Sequence, residues 1–82
     1  MAQRELLLEV GERLARLRGQ AGLTVDAAAD RTGLAPERLE QAESGATALT
    51  EAEIARVAST YGVDVTEIFG GRITPFQNYA GG

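Results

Sequence analysis

The side chains that could do chemistry in this sequence are arginines, carboxylates and amides. The chain contains no histidine, cysteine or lysine, the residues that most often act as bases or nucleophiles near neutral pH. Its two serines, Ser44 and Ser59, therefore lack a general base of the usual kind. The acids are spread along the chain without the clustering that a metal ion needs, and no cofactor-binding loop is present. We predict that the chain is not an enzyme and binds no metal or cofactor.

The charge balance argues against non-specific binding to polyanions. All eight basic residues are arginine, they face twelve acids, and the net charge is −4. Such a balance opposes attraction to nucleic acid or to an anionic membrane. The apolar patch Leu6–Leu8 is far too short for a signal peptide or a membrane span, and the lack of cysteine suits a reducing compartment. We therefore expect a cytoplasmic protein with no membrane partner.

Glycines divide the chain into stretches of helical length. A glycine just past a helix end adopts the left-handed conformation without strain. Five glycines follow helix-compatible stretches: Gly22, Gly33, Gly45, Gly62 and Gly70. The stretches begin at good N-caps, Thr24, Thr50 and Asp64, or at Pro36, which suits a first helical turn. The pattern predicts an all-α fold with helices over residues 3–21, 24–32, 36–44, 50–61 and 65–69.

Apolar residues at helical spacing supply one core. Leu7, Val10, Leu14 and Leu17 recur every three or four residues in the first helix, and Ile54, Val57, Ala58 and Tyr61 do so in the fourth. The length of 82 residues fits a single domain, which we place at residues 1–70. The remaining residues, 71–82, carry glycines at both ends and Pro75 inside, and we predict a flexible or extended tail.

The centre of the chain has the pattern of a helix-turn-helix. Two short predicted helices are joined by a tight turn at residues 32–35, where Gly33 can take a positive φ. Ala29 is small enough for the helices to approach, and Leu34 and Leu39 can fill the angle between them. In this arrangement the second helix usually enters the major groove of DNA.

An ordered set of residues around this centre resembles the phage-repressor family, also called the Xre family, of helix-turn-helix domains. The set spans roughly residues 10–69 and comprises Val10-Gly11-Glu12-Arg13-Leu14, Leu17-Arg18, Gly22-Leu23-Thr24, Ala29, Gly33, Leu39, Glu43-Ser44-Gly45 and Tyr61-Gly62-Val63-Asp64-Val65. The resemblance implies a five-helix domain and DNA binding in a transcriptional regulator. It also implies an ion pair between Arg18 on the first helix and Glu43 at the end of the third, where two exposed charges are the alternative.

The sequence departs from the family where DNA would be contacted. Val25 stands at the usual glutamine position, and the third helix opens with Pro36, which offers no donor. Residues 24–53 contain seven acids and two arginines, a net charge of −5. We therefore expect weak DNA binding by the monomer, because phosphate contacts supply most non-specific affinity. The candidate DNA-contacting residues are Arg13, Arg16, Thr24, Glu37, Arg38 and Gln41.

Arg38 has two interpretations at this point. It can reach a guanine edge, as Gln41 can reach an adenine. Alternatively, it pairs with Glu37, Glu40 or another surface acid. The sequence does not distinguish the two.

The tail carries three apolar residues at a spacing of three, Ile73, Phe76 and Tyr79. We expect them to pack on the apolar end of the fourth and fifth predicted helices, or to cross to a second subunit in a homodimer. The favoured function is a transcriptional regulator that binds double-stranded DNA. The alternative is a protein-interaction adaptor or peptide-carrier domain that kept the fold, lost DNA binding and meets a protein partner through its acidic face or its tail.

Overall fold

The computed structural model describes residues 2–70, with side chains from residue 4 onward. That part of the chain is all-helical and contains five helices: α1 (Ala2–Gln20), α2 (Val25–Thr32), α3 (Pro36–Glu43), α4 (Glu51–Tyr61) and α5 (Val65–Ile68). The all-α, five-helix prediction is confirmed, and each predicted boundary lies within one residue of the observed one. The predicted tail residues Ile73, Phe76 and Tyr79 lie outside the described residues.

The helix ends follow from local hydrogen bonding. The Oγ1 atom of Thr24 accepts from the amide of Ala27 at 3.1 Å and begins α2. Thr50 and Glu53 form a reciprocal capping box that begins α4. Gly33 ends α2 with a φ of 78°, and its amide donates to the carbonyl of Ala29. These caps satisfy backbone groups that would otherwise lack partners.

One apolar core joins the helices. Leu14 of α1, Leu39 of α3, Val57 of α4 and Ile68 are fully buried and are the largest side chains at its centre. Helix α1 packs mainly on α3, while α2 contacts both α3 and α4. The core also takes in Ala28, Ala42 and Leu49, which the apolar periodicity did not single out.

Gly11 is required where α1 crosses the end of α3. A Cβ atom at this position would lie 2.7 Å from the carbonyl oxygen of Ala42 and would clash with that of Glu43. These are backbone atoms, so the contact cannot be relieved by a rotamer change. The close approach sets the position of α3, whose exposed side is the candidate site.

Within the described residues no helix is both long enough and apolar enough to cross a bilayer.

Candidate nucleic-acid interface

Helix α3 presents one polar face to solvent. Leu39 and Ala42 point into the core and anchor the helix. Glu37, Glu40 and Gln41 are exposed on the other side, as is the capping residue Ser44. Their spacing of three and four residues places them on a single face. This surface is the one that a helix-turn-helix would offer to a DNA groove.

Arg38 does not share that exposed face, because it is held by Glu53 of α4. Its Nε and Nη2 atoms donate to Oε2 and Oε1 of Glu53, each at 2.7 Å, and Nη2 also lies 3.5 Å from the carbonyl oxygen of Ala48. A guanidinium and a carboxylate paired in this two-point geometry interact strongly. Of the two interpretations of Arg38, the structure therefore agrees with pairing to an acid. That acid is Glu53, and neither Glu37 nor Glu40.

Glu53 joins α3 to the start of α4 through one carboxylate. Besides Arg38, its Oε1 atom accepts from the amide of Thr50 at 2.8 Å, which completes the α4 capping box. The hydrogen bond from Arg38 is the main cause that lowers the pKa of Glu53 to about 2, against an ordinary value of 4.5. The carboxylate is thus ionised at neutral pH and ties α3 to the first turn of α4.

The implied pair between Arg18 and Glu43 is formed. The Nε and Nη2 atoms of Arg18 donate to Glu43 at 2.7 and 3.1 Å, and Nη1 donates to the carbonyl oxygen of Leu23 at 3.0 Å. The two side chains are only 20% and 11% exposed, so the pair is partly buried. Neighbouring Tyr61 is buried as well, which raises its pKa to about 12, and the charge of Glu43 acts in the same direction. This cluster holds the C-terminal end of α3 on α1.

The remaining candidate residues do not gather on the face of α3. Thr24 is exposed and caps α2. Arg13 is half-buried, and its guanidinium lies against Gly70, where an added Cβ would come within 2.5 Å of Cζ. Arg16 is exposed and follows the buried Leu14 by two residues, about 200° around α1. It therefore projects from the side of α1 that faces away from the core.

The start of α2 also differs from a surface that binds phosphates. Val25 is half-buried and packs against the core. Asp26 and Asp30 line an open groove of about 580 Å³ between α2 and the start of α3. Both acids are exposed, and they add to the negative charge beside the α3 face.

Comparison with known proteins decides the family. A family model described as a helix-turn-helix domain matches residues 9–68, which is most of the chain. The chain belongs to this helix-turn-helix family. No match was found among the curated proteins.

Two solved structures show how this helix-turn-helix domain relates to known regulators. The restriction-modification controller protein C.AhdI from Aeromonas hydrophila is 27% identical, with a TM-score of 0.74 over 77% of this chain and 96% of that protein. An HTH_3 family transcriptional regulator from Vibrio cholerae is 28% identical, with a TM-score of 0.76 over 84% of this chain. The match spans 39% of the Vibrio cholerae chain, so it concerns one part of that protein.

Sequence reasoning did not identify Glu53 as the acid that pairs with Arg38. The Thr50–Glu53 capping pattern placed this residue in the first turn of α4, and that signal was visible in the sequence. Its second role, as the partner of Arg38, depends on how α3 and α4 pack and joins residues fifteen positions apart. Among the described residues no group of acids has an arrangement that could hold a metal ion.

Proposed function

We propose that this helix-turn-helix domain is a DNA-binding transcriptional regulator that contacts the major groove with the exposed face of α3. The observation that carries the proposal is the placement of α3, whose buried Leu39 anchors it while its first turn stands in solvent. Membership of the helix-turn-helix family supports it, as do the similar controller protein and transcriptional regulator. DNA binding also gives the cytoplasm as the proposed site of action.

The residues proposed to read bases are Gln41 and Glu37. An exposed glutamine can form two hydrogen bonds with adenine, and a glutamate can accept from the amino group of cytosine. Arg38 is proposed as a positioning residue, because reading guanine would require it to leave Glu53. Contacts from Thr24, Arg13 and Arg16 remain predictions, and the positions of the two arginines on α1 give them no support.

The charge of the surface sets the expected affinity. Five acids between residues 24 and 53 are exposed, Asp26, Asp30, Glu37, Glu40 and Glu51, against one exposed arginine, Arg31. Their repulsion of phosphates would make a single domain a weak binder. We propose that a homodimer on paired half-sites supplies the missing affinity.

Selection from a random-sequence duplex library at about 50 mM salt tests the proposal. We expect one sequence motif to be enriched and its binding to weaken steeply as salt is raised. Gln41→Ala should relax the preference at one position, while Ser59→Ala, an exposed change on α4, should leave it unchanged. If no sequence is enriched and no salt-dependent binding is seen, the proposal that the domain is a DNA-binding regulator is overturned.

A second function is favoured by one specific observation. The exposed acids beside α3 would suit a basic protein surface as well as they oppose DNA. A protein-interaction adaptor or peptide carrier on this fold would give no enriched DNA in the selection. It would still lose partner binding when Glu37 and Glu40 are changed to glutamine.

A further inference from the structure

An open apolar groove lies on the α1 side of the domain. Its volume is about 360 Å³, and its walls come from α1, the loop between α3 and α4, and the end of α5. Leu6, Leu7, Val10, Thr47, Leu49 and Phe69 are among the residues that line it. Leu6, Leu7 and Val10 are only partly buried, although removing leucine and valine side chains from water is energetically favourable. This groove is separate from the exposed face of α3.

We propose that the groove is the docking site of the chain's own C-terminal segment, residues 71–82, with Ile73 and Phe76 as the inserted side chains. The proposal does not depend on the proposed function. It keeps part of the expected contact with α4 and α5, through Ile54 and Phe69, and adds a contact with α1 and the α3–α4 loop.

The point at which the described chain ends supports this occupant. Gly70 directly follows Phe69, which is buried and forms part of the groove wall. An extended chain advances at most about 3.6 Å per residue, so Ile73 can lie within roughly 11 Å of Gly70 and Phe76 within roughly 22 Å. Two glycines, Gly70 and Gly71, allow the chain to turn back toward the groove.

The composition of the segment fits an apolar groove. Ile73, Phe76 and Tyr79 recur at every third position around Pro75. An extended polyproline-type chain has three residues per turn, so this spacing would place all three side chains on one side. The tether also favours this occupant over a second copy, since a short linker gives an effective concentration in the millimolar range.

Disulfide trapping tests the proposal cleanly because the chain has no cysteine of its own. Thr47→Cys on the groove wall is combined with Gln77→Cys beside Phe76, and Ser59→Cys with Gln77→Cys is the control. We expect an intrachain disulfide in the groove pair to form at least about tenfold faster than in the control, in a protein that stays monomeric. Equal rates would overturn the proposal, and so would a disulfide between two chains, which would identify a second copy as the occupant.

A melting experiment on the otherwise natural chain provides a second readout. Phe76→Ala should lower the melting temperature by about 4–8 °C, independently of protein concentration, while Gln77→Ala should not change it. An unchanged melting temperature for Phe76→Ala would contradict docking. A loss that depends on protein concentration would contradict docking within one chain.

Discussion

At the scale of single residues, two glycines in α1 have opposite roles. Gly11 lies against the backbone at the end of α3, whereas a Cβ at Gly19 would meet no atom within 4 Å. Alanine is favoured over glycine in a helix by about 1 kcal/mol, so substitution should help wherever there is space. The packing of α1 on α3 therefore decides whether alanine stabilises or destabilises the domain at each position.

Gly11→Ala should therefore destabilise the domain by about 2 kcal/mol or more, because the clash outweighs the gain in helix propensity. Gly19→Ala should be neutral or stabilise it by up to about 1 kcal/mol. Urea unfolding of both variants measures the difference. Equal stability of the two variants would contradict the close crossing of α1 and α3.

The pair of Arg18 and Glu43 gives the second prediction at this scale. Arg18→Ala leaves the carboxylate of Glu43 partly buried without its partner, and the loss should be about 2–4 kcal/mol of unfolding free energy. That is a large part of the stability expected for so small a domain.

Arg16→Ala, an exposed change on the same helix, is the matched control and should change stability by less than about 0.5 kcal/mol. A loss of that small size in Arg18→Ala as well would mean that the pair behaves as an exposed one.

At the scale of elements, α3 and α4 are joined through Glu53. Because its pKa in the folded state is about 2, below the ordinary value of 4.5, its ionised form stabilises the fold. This contribution is complete above about pH 4.5 and is lost as the pH falls toward 2. Since Arg38 is about a third exposed, we expect a contribution of only about 1–2 kcal/mol from Glu53.

Unfolding free energies measured between about pH 6 and pH 2 test this link. The wild type should lose about 1–2 kcal/mol more over that range than Glu53→Gln, which keeps the shape of the side chain and cannot ionise. Glu51→Gln, in the same turn and exposed, should retain the wild-type slope. Parallel curves for the wild type and Glu53→Gln would show that the pair does not stabilise the fold.

The elements were predictable because their signals are local. Thr24, Thr50 and Gly33 act through hydrogen bonds within three or four residues, so the helix ends could be placed from the sequence. Ala42 and Leu49 were not singled out from the sequence, and how deeply they are buried depends on how α1 and the α3–α4 loop meet.

The candidate site was less predictable than the fold. The exposed positions of Glu37 and Gln41 follow from the helical period of α3. The partner of Arg38 and the position of Arg13 against Gly70 depend on contacts between distant segments, which no periodicity contains.

At the scale of the whole molecule, ion pairing leaves one exposed arginine, Arg31, against five exposed acids between residues 24 and 53. Arg18 and Arg38 each bind a carboxylate within the domain, so neither is free to contact phosphate. The helix-turn-helix geometry thus favours DNA binding, whereas the surface charge opposes it. We propose that α3 faces DNA in spite of its acids.

The most direct test of this claim compares two variants with the same change in charge. Glu37→Gln with Glu40→Gln removes two acids from the α3 face, and Glu5→Gln with Glu12→Gln removes two exposed acids from α1. Binding to a labelled duplex of unrelated sequence, where Glu37 reads no base, should strengthen about fivefold at about 50 mM salt for the α3 variant, because each acid within about 8 Å of a phosphate costs roughly 0.5 kcal/mol. The affinity of the α1 variant should rise by less than half of that factor. Equal gains, or no gain for the α3 variant, would contradict the claim that α3 faces DNA.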